Sequence, residues 1–130
     1  KRLKMQDSLL LDTHTLIWVL DDAPQLHKAK PYIAQAKHIY VSMASWWEVS
    51  IKASLGKLAI DPLQAFLAAQ QAGILTLPIH ITHCQTLLTL PSIHRDPFDR
   101  MLIAQSITES LPLLTHDATL ASYTELVTLF

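Results

Sequence analysis

The stretch Leu9-Leu10-Leu11-Asp12-Thr13-His14-Thr15-Leu16-Ile17-Trp18 decides the fold that we predict for this chain. Its three leucines form a short, continuous apolar run, which is typical of a strand buried on both faces in a parallel sheet. The run ends abruptly at Asp12, and we predict that Thr13 caps a helix over residues 15–20. Because open α/β sheets bind ligands at the carboxyl ends of their strands, Asp12 is a candidate site residue.

Strand and helix patterns alternate along the rest of the chain. Further strands are predicted at residues 38–42, 74–77, 113–115 and 126–129, and helices at 25–37, 43–55, 62–72, 82–90 and from Pro97 onward, with a start or break at Pro31. In the helix from Met43, the residues Ala44, Trp47, Ile51 and Leu55 recur at helical spacing and predict its buried face. This alternation predicts an α/β fold with a mainly parallel sheet and helices on both faces.

Length and composition limit the classes of protein to which the chain can belong. With 130 residues, half of them hydrophobic and 16% charged, it is expected to fold as one domain over residues 6–130. Met5 fits a natural start, so we treat residues 1–4 as an addition to the natural sequence. The single cysteine, Cys84, excludes an internal disulfide and indicates a cytoplasmic protein.

Several functions are disfavoured by what the sequence lacks. No stretch approaches the roughly 18–20 apolar residues that a membrane-spanning helix needs. Only two glycines occur, so a glycine-rich loop for a nucleotide cofactor is absent. A net charge of −1 gives no general attraction to nucleic acid, and RNA binding would require a local basic patch or a bound cation.

Four carboxylates are placed where they can meet at one edge of the predicted sheet: Asp12, Glu48, Asp99 and Asp117. Asp117 repeats the pattern of Asp12, an acid at the end of a leucine-rich strand, and this repetition is the better evidence. Each acid also has an ordinary structural explanation. Asp12 can cap a helix, Glu48 can pair with Lys52 four residues later, and Asp99 can complete a capping box.

A shared site for all four acids implies a metal ion. Neighbouring carboxylates push one another towards protonation, and a divalent cation removes that cost. Mg²⁺ and Mn²⁺ take oxygen ligands of this kind, and such an ion can orient a phosphodiester and lower the pKa of an attacking water. The four acids therefore predict metal-assisted phosphodiester hydrolysis.

At these residues the chain resembles the PIN-domain nucleases, and among them the VapC-type toxins of prokaryotic toxin–antitoxin pairs. The resemblance runs from Leu9 to about Val127 and rests on four motifs taken jointly in order. They are Leu11-Asp12-Thr13-His14, Ser45-Trp46-Trp47-Glu48-Val49, the stretch from His94 to Gln105 (HRDPFDRMLIAQ), and Leu114-Thr115-His116-Asp117. In the last motif, many relatives carry Arg or Asn where this chain has His116.

The resemblance implies a three-layer α/β/α sandwich and a Mg²⁺- or Mn²⁺-dependent endoribonuclease. Asp12, Glu48, Asp99 and Asp117 would then be both the catalytic and the metal-binding residues. It further implies an RNA substrate, a homodimer, and a small antitoxin protein that silences the enzyme.

Other residues near the acids are weaker candidates. Thr13 and Thr115 can hydrogen-bond the metal shell or cap strand ends, and Asp96 is more readily a helix cap than a ligand. Candidates for RNA contact are Lys52, Arg95, Arg100 and His116, for which a solvated surface position is the simpler expectation. His14, His94 and His116 border the predicted cleft, whereas Trp47 is expected in the core and Trp46 on a binding surface.

Two alternatives to the nuclease remain open from the sequence. A non-catalytic PIN-like module would use the acidic cleft only to bind a basic partner segment, without metal. A haloacid-dehalogenase-like phosphatase would use Asp12 as a nucleophile, but the second aspartate usual two residues later is His14 here.

Overall fold

A computed structural model describes residues 7–130, so Met5 and the predicted domain start at residue 6 lie outside the described residues. The strands are β1 (Ser8–Leu11), β2 (His38–Ser42), β3 (Leu75–Leu77), β4 (Leu113–Thr115) and β5 (Val127–Leu129). The helices are α1 (Thr13–Asp21), α2 (Lys30–Gln35), α3 (Met43–Ser54), α4 (Pro62–Gln71), α5 (Ile81–Leu87) and α6 (Pro97–Glu109). Two 3₁₀ segments complete the elements, at Pro24–Ala29 and Ala118–Ser122.

The five strands form one parallel sheet in the order β3-β2-β1-β4-β5. The leucine run of β1 occupies the centre, and its neighbours are β2 on one side and β4 on the other. The chain runs outward from β1 through β2 to β3 and then crosses back to β4 on the other side of β1. A crevice therefore opens at the carboxyl ends of β1 and β4, where doubly wound sheets bind ligands.

Alternate leucines of β1 pack into two separate cores. Leu9 and Leu11 pack with Leu16 and Val49, whereas Leu10 packs on the other face with Leu102. Helices α1, α3 and α4 contribute to the first core, and α6 contributes to the second, with α5 packed against α6. The structure therefore confirms the three-layer α/β/α sandwich with a parallel sheet.

Several predicted boundaries need correction. Helix α1 begins at Thr13, two residues earlier than predicted, because Asp12 and not Thr13 is its N-cap: Oδ1 of Asp12 accepts from Thr15 N at 2.9 Å. The predicted helix 25–37 is a 3₁₀ segment followed by α2, with Pro31 in the first turn of α2, as a helix start would have it.

The predicted buried face of α3 is correct at Ala44, which is buried, but wrong at Trp47 and Leu55, which are exposed. Trp46 is 5% exposed and packs edge-on against Phe66 of α4 at 5.4 Å, whereas Trp47 is 60% exposed and lies against Phe98 of α6 at 5.2 Å. Helix α3 begins directly after β2, with Ser42 as its N-cap, and its rotation about its own axis places Trp46 against α4. As a result, Ser45, Trp46, Glu48 and Val49 turn inward.

None of the helices formed by residues 7–130 is both long and apolar enough to span a membrane.

Candidate functional site

The carboxyl edge of the sheet gathers acidic side chains from four different elements. Asp12 follows β1, Glu48 lies on α3, Asp99 lies in the first turn of α6, and Asp117 follows β4. Three of these positions have a local cause: Asp12 and Asp117 are the N-caps of the segments that they begin, and Asp96 caps the helix that carries Asp99 through Phe98 N at 2.8 Å. The strand ends and helix starts thus direct these acids to one crevice.

The tightest part of the site is a group of three side chains. Ligand atoms of His94, Asp99 and Asp117 all lie within 4.8 Å of one another, and no other such group of three occurs within residues 7–130. Nε2 of His94 lies 3.6 Å from Oδ2 of Asp99 and 3.4 Å from Oδ2 of Asp117. The imidazole therefore stands between the two carboxylates.

Backbone contacts determine which nitrogen of His94 carries the hydrogen. Asp96 N donates to His94 Nδ1 at 3.1 Å, so Nδ1 accepts and Nε2 is the N–H that faces the two acids. The backbone of His94 is held by Tyr123, whose hydroxyl accepts from His94 N at 2.6 Å. Sequence reasoning placed His94 near the cleft but missed this bridging position, and Tyr123, 29 residues away, gave no local signal.

Asp12 is joined to the same group through a threonine. Oγ1 of Thr115 donates to Oδ2 of Asp12 and accepts from Asp117 N at 3.0 Å. Asp12 is 4% exposed, so its carboxylate is held by Thr115 and by the amide of Thr15 rather than by water. Thr13, the other candidate threonine, instead donates to Ser45 Oγ at 2.9 Å and ties α1 to α3.

Glu48 approaches the acids from α3 and is also buried. Its Oε2 pairs with Lys52 Nζ at 3.1 Å, whereas within residues 7–130 no group donates a hydrogen bond to its Oε1. A buried carboxylate oxygen without a donor is costly, because it loses the hydrogen bonds that water would give it. This oxygen is the clearest sign that the site accommodates a group beyond the protein's own side chains.

The electrostatics of Asp99 show that the acids are close. Burial, together with the charges of Asp96, Asp12 and Glu48, raises the pKa of the Asp99 carboxyl to about 7, with His94 opposing the rise. The pKa of Asp117 is lowered instead, chiefly because Thr119 donates hydrogen bonds to its carboxylate, and His94 adds to this effect. The pKa values of these two neighbouring acids are thus shifted in opposite directions.

The opposite pKa shifts of Asp99 and Asp117 predict how the stability of the metal-free protein changes with pH. The folded-state pKa of Asp99 is above its ordinary value of 3.8, so the folded state loses relative stability as the pH rises from about 4 through 7. Asp99→Asn removes this cost, and we expect it to stabilise the protein by ~1–2 kcal/mol at pH 8. The full pKa shift would correspond to ~4 kcal/mol, and the expected gain is smaller because water screens the charges at the site. Thermal unfolding in chelator between pH 5 and 8, values that bracket the raised pKa, measures the effect.

Asp117→Asn is the matched control, because an asparagine at this N-cap retains the accepting oxygen while removing the charge. Its lowered pKa predicts the opposite sign, a loss of stability at neutral pH. Equal responses of the two variants would contradict the assignment of charge crowding to Asp99.

The four candidates for RNA contact do not lie together. Lys52 and Arg95 line one cavity of about 450 Å³, to which Lys57, Glu48 and Asp96 also contribute. His116 lines a different cavity of about 320 Å³, beside Asp12 and Asp117. Arg100 faces neither, because its guanidinium donates to the carbonyl oxygen of Pro91 at 2.9 Å and to the hydroxyl of Tyr123 at 3.3 Å.

The fold and the acidic crevice define a parallel α/β domain with a carboxylate-rich centre at its topological switch point. The family model of the PIN domain matches residues 9–126, so the chain belongs to the PIN domain family. No curated protein matches the sequence.

Solved structures share the fold over nearly the whole chain. A VapBC2 structure from Rickettsia felis, bound to a DNA fragment from its promoter, is 12% identical, covers 92% of this chain and 96% of its own, and superposes with a TM-score of 0.68. A toxin–antitoxin complex from Klebsiella pneumoniae is 16% identical, covers 92% of this chain and 95% of its own, and has a TM-score of 0.69. At these identities the likeness shows the fold.

Proposed function

We propose that this protein is a Mg²⁺- or Mn²⁺-dependent endoribonuclease and the toxin of a toxin–antitoxin pair. The observation that carries the proposal is the crowding of Asp12, Glu48 and Asp117 around Asp99 at the carboxyl edge of a PIN domain. Unscreened carboxylates repel one another, so a site that collects them is suited to a divalent cation.

The residues present fit such an ion. Carboxylate oxygens are the ligands that Mg²⁺ and Mn²⁺ prefer, and the buried Oε1 of Glu48 is an acceptor that lacks a donor among the described residues. Asp99 and Asp117 would hold the cation, with Asp12 and Glu48 completing the acidic centre. When bound, the cation would orient the scissile phosphodiester and offset the negative charge of the phosphate and the acids.

The protein's own groups have distinct tasks in this proposal. Thr115 orients Asp12 and links it to Asp117, so that these carboxylates keep one geometry without help from solvent. The Nε2–H of His94 lies 3.6 Å from Oδ2 of Asp99 and 3.4 Å from Oδ2 of Asp117, and its positive end lowers the repulsion between the two acids. Lys52 and Arg95, with Lys57, offer positive charge to the RNA backbone on the cavity that Glu48 lines.

The partners follow from the same family. Both solved relatives are toxin–antitoxin structures, which supports a small antitoxin as the protein partner of this chain. We further propose that residues 6–130 form one domain, that the protein acts as a homodimer, and that it works in the cytoplasm. The single cysteine, Cys84, which is free, agrees with that compartment.

The direct test is cleavage of RNA by the purified protein in Mg²⁺, Mn²⁺ or EDTA. We expect cleavage with either metal and none with the chelator. Cleavage that persists in EDTA would contradict a metal-dependent centre, and a folded protein that cuts no RNA in any metal would favour the non-catalytic binding module.

Thermal stability separates the nuclease from that module without any substrate. A cation that binds only the folded state stabilises it by about 2.7 kcal/mol at a hundredfold excess over its Kd. We therefore expect Mn²⁺ to raise the melting temperature of the wild-type protein, and to raise that of Asp12→Asn much less. Asp61→Asn is the matched control, because Asp61 is also an N-cap aspartate but caps α4 outside the acidic centre. A metal shift that is equal in all three proteins would argue against the site.

A further inference from the structure

One cavity at the acidic centre is lined largely by aromatic rings. It measures about 320 Å³, and the five residues that line it are Asp12, His14, Trp18, His116 and Asp117. His14 and His116 are exposed and Trp18 is half-buried, so part of this aromatic surface is accessible from solvent. The two acids are shared with the candidate metal centre, so the cavity adjoins the place where a phosphate would be cut.

The rings are held in place by one another. Trp18 and His14 are stacked at 6.0 Å with an interplanar angle of 27°, and Trp18 meets the edges of His116 at 5.9 Å and of Phe130 at 6.0 Å. The ring of His116 packs against Phe130 at 5.2 Å, and its Nδ1 donates to the carbonyl oxygen of the same residue. An aromatic surface fixed in this way loses little conformational entropy when a ligand binds.

The charge of the lining selects the ligand. No lysine or arginine lines this cavity, so a phosphate placed among the rings, away from the proposed metal ion, would meet no cationic side chain. The cationic side chains Lys52, Lys57 and Arg95 instead line the cavity that contains Glu48. The surface beside the acids is therefore divided into a cationic part, suited to a phosphate backbone, and an aromatic part, suited to a flat uncharged ring.

We propose that His14, Trp18 and His116 form a stacking site for the nucleobase next to the scissile phosphate. This inference rests on the proposed function. Stacking needs a base whose face is free, so the substrate at this position is an unpaired strand and not a duplex. Because every base has a π-face, the site discriminates single from double strands more strongly than it discriminates between bases.

The test measures binding rather than cleavage. The protein carries Asp99→Asn so that the strand stays intact, and the probes are a labelled single-stranded RNA of about 12 nucleotides, the same strand with one abasic position at its centre, and its duplex. Binding of each probe is followed by fluorescence anisotropy in Mg²⁺ at several salt concentrations. In the Asp99→Asn background, the test variants are Trp18→Leu, His14→Ala and His116→Ala. The control is His38→Ala, because His38 is an exposed histidine at the start of β2, at the amino edge of the sheet.

We expect Trp18→Leu to weaken binding of the single strand about tenfold and His14→Ala or His116→Ala several-fold, with no change for His38→Ala. Duplex binding should be the same in all variants. Because Trp18 is uncharged, Trp18→Leu should also leave the slope of log Kd against log salt unchanged, whereas loss of a phosphate contact would reduce it. If Trp18→Leu disturbs the fold, the two exposed histidine variants still give the answer, and Trp18→Phe should restore most of the affinity.

Unchanged single-strand affinity in the His14 and His116 variants would overturn the stacking site and assign the cavity to another occupant, such as a protein partner. Equal binding of the intact and abasic strands would also overturn it, and so would a protein that binds no strand. The proposed function is tested separately, because it depends on metal-dependent cleavage by the wild-type chain. A protein that cleaves RNA while its ring variants bind normally would retain the nuclease proposal and lose the stacking site.

Discussion

Replacing Asp99 by asparagine should lower the rate of Mn²⁺-dependent RNA cleavage by about a hundredfold or more, since loss of residues that merely support metal ligands already costs 10–100-fold. Oδ2 of Asp99 lies 3.6 Å from Nε2 of His94, and the charges of Asp12 and Glu48 raise the pKa of the Asp99 carboxyl. This carboxylate is therefore central to the acidic site. Asparagine has nearly the same shape but lacks the negative charge. The measurement is the initial rate of cleavage at saturating Mn²⁺.

Stability separates this loss from simple unfolding. Burial and the neighbouring acids raise the pKa of Asp99, so its ionised form costs stability at neutral pH. Because Asp99→Asn removes that charge, the variant should melt at the same temperature as the wild type or above it in chelator at neutral pH. Asp61→Asn, which also removes one carboxylate charge from the start of a helix, should cleave RNA at the wild-type rate. Wild-type cleavage by Asp99→Asn would contradict the proposed centre, and a lowered melting temperature would contradict the electrostatic account.

Replacing Leu10 by alanine should lower the free energy of unfolding by ~3–5 kcal/mol, the largest stability change that we predict. Leu10 is fully buried in the central strand and packs into the core formed with Leu102, Leu113 and Leu120. Truncation leaves a cavity enclosed by the sheet and α6, where the backbone has little freedom to collapse. Urea unfolding in chelator measures the effect without a contribution from bound metal.

Leu88→Ala is the matched control, because Leu88 follows α5 and is 86% exposed. Its replacement should change the free energy of unfolding by no more than about 0.5 kcal/mol. A loss below about 1 kcal/mol for Leu10→Ala would mean that the second core tolerates a cavity next to β1, contrary to its close packing.

Features with short-range causes could be predicted from the sequence alone. An apolar run that ends at an acid identified β1 and its central position, and the Asp-Pro pairs at 61–62 and 96–97 located the starts of α4 and α6. The positions of Asp12, Asp99 and Asp117 also followed, because strand ends and helix starts lie at the same edge of a parallel sheet. These signals depend on residues a few positions apart, which the chain carries in any context.

Only the tertiary structure decided which side chains face one another. The sequence predicted Trp47 on the buried stripe of α3 and Trp46 on a binding surface, whereas the contact with Phe66 places Trp46 in the core. His94 came to stand between two acids because Tyr123 holds its backbone, and Arg100 turned to Pro91 and the same tyrosine. The rotation of a helix and the path of a loop depend on partners distant in sequence, so the composition of the centre could be predicted while its geometry could not.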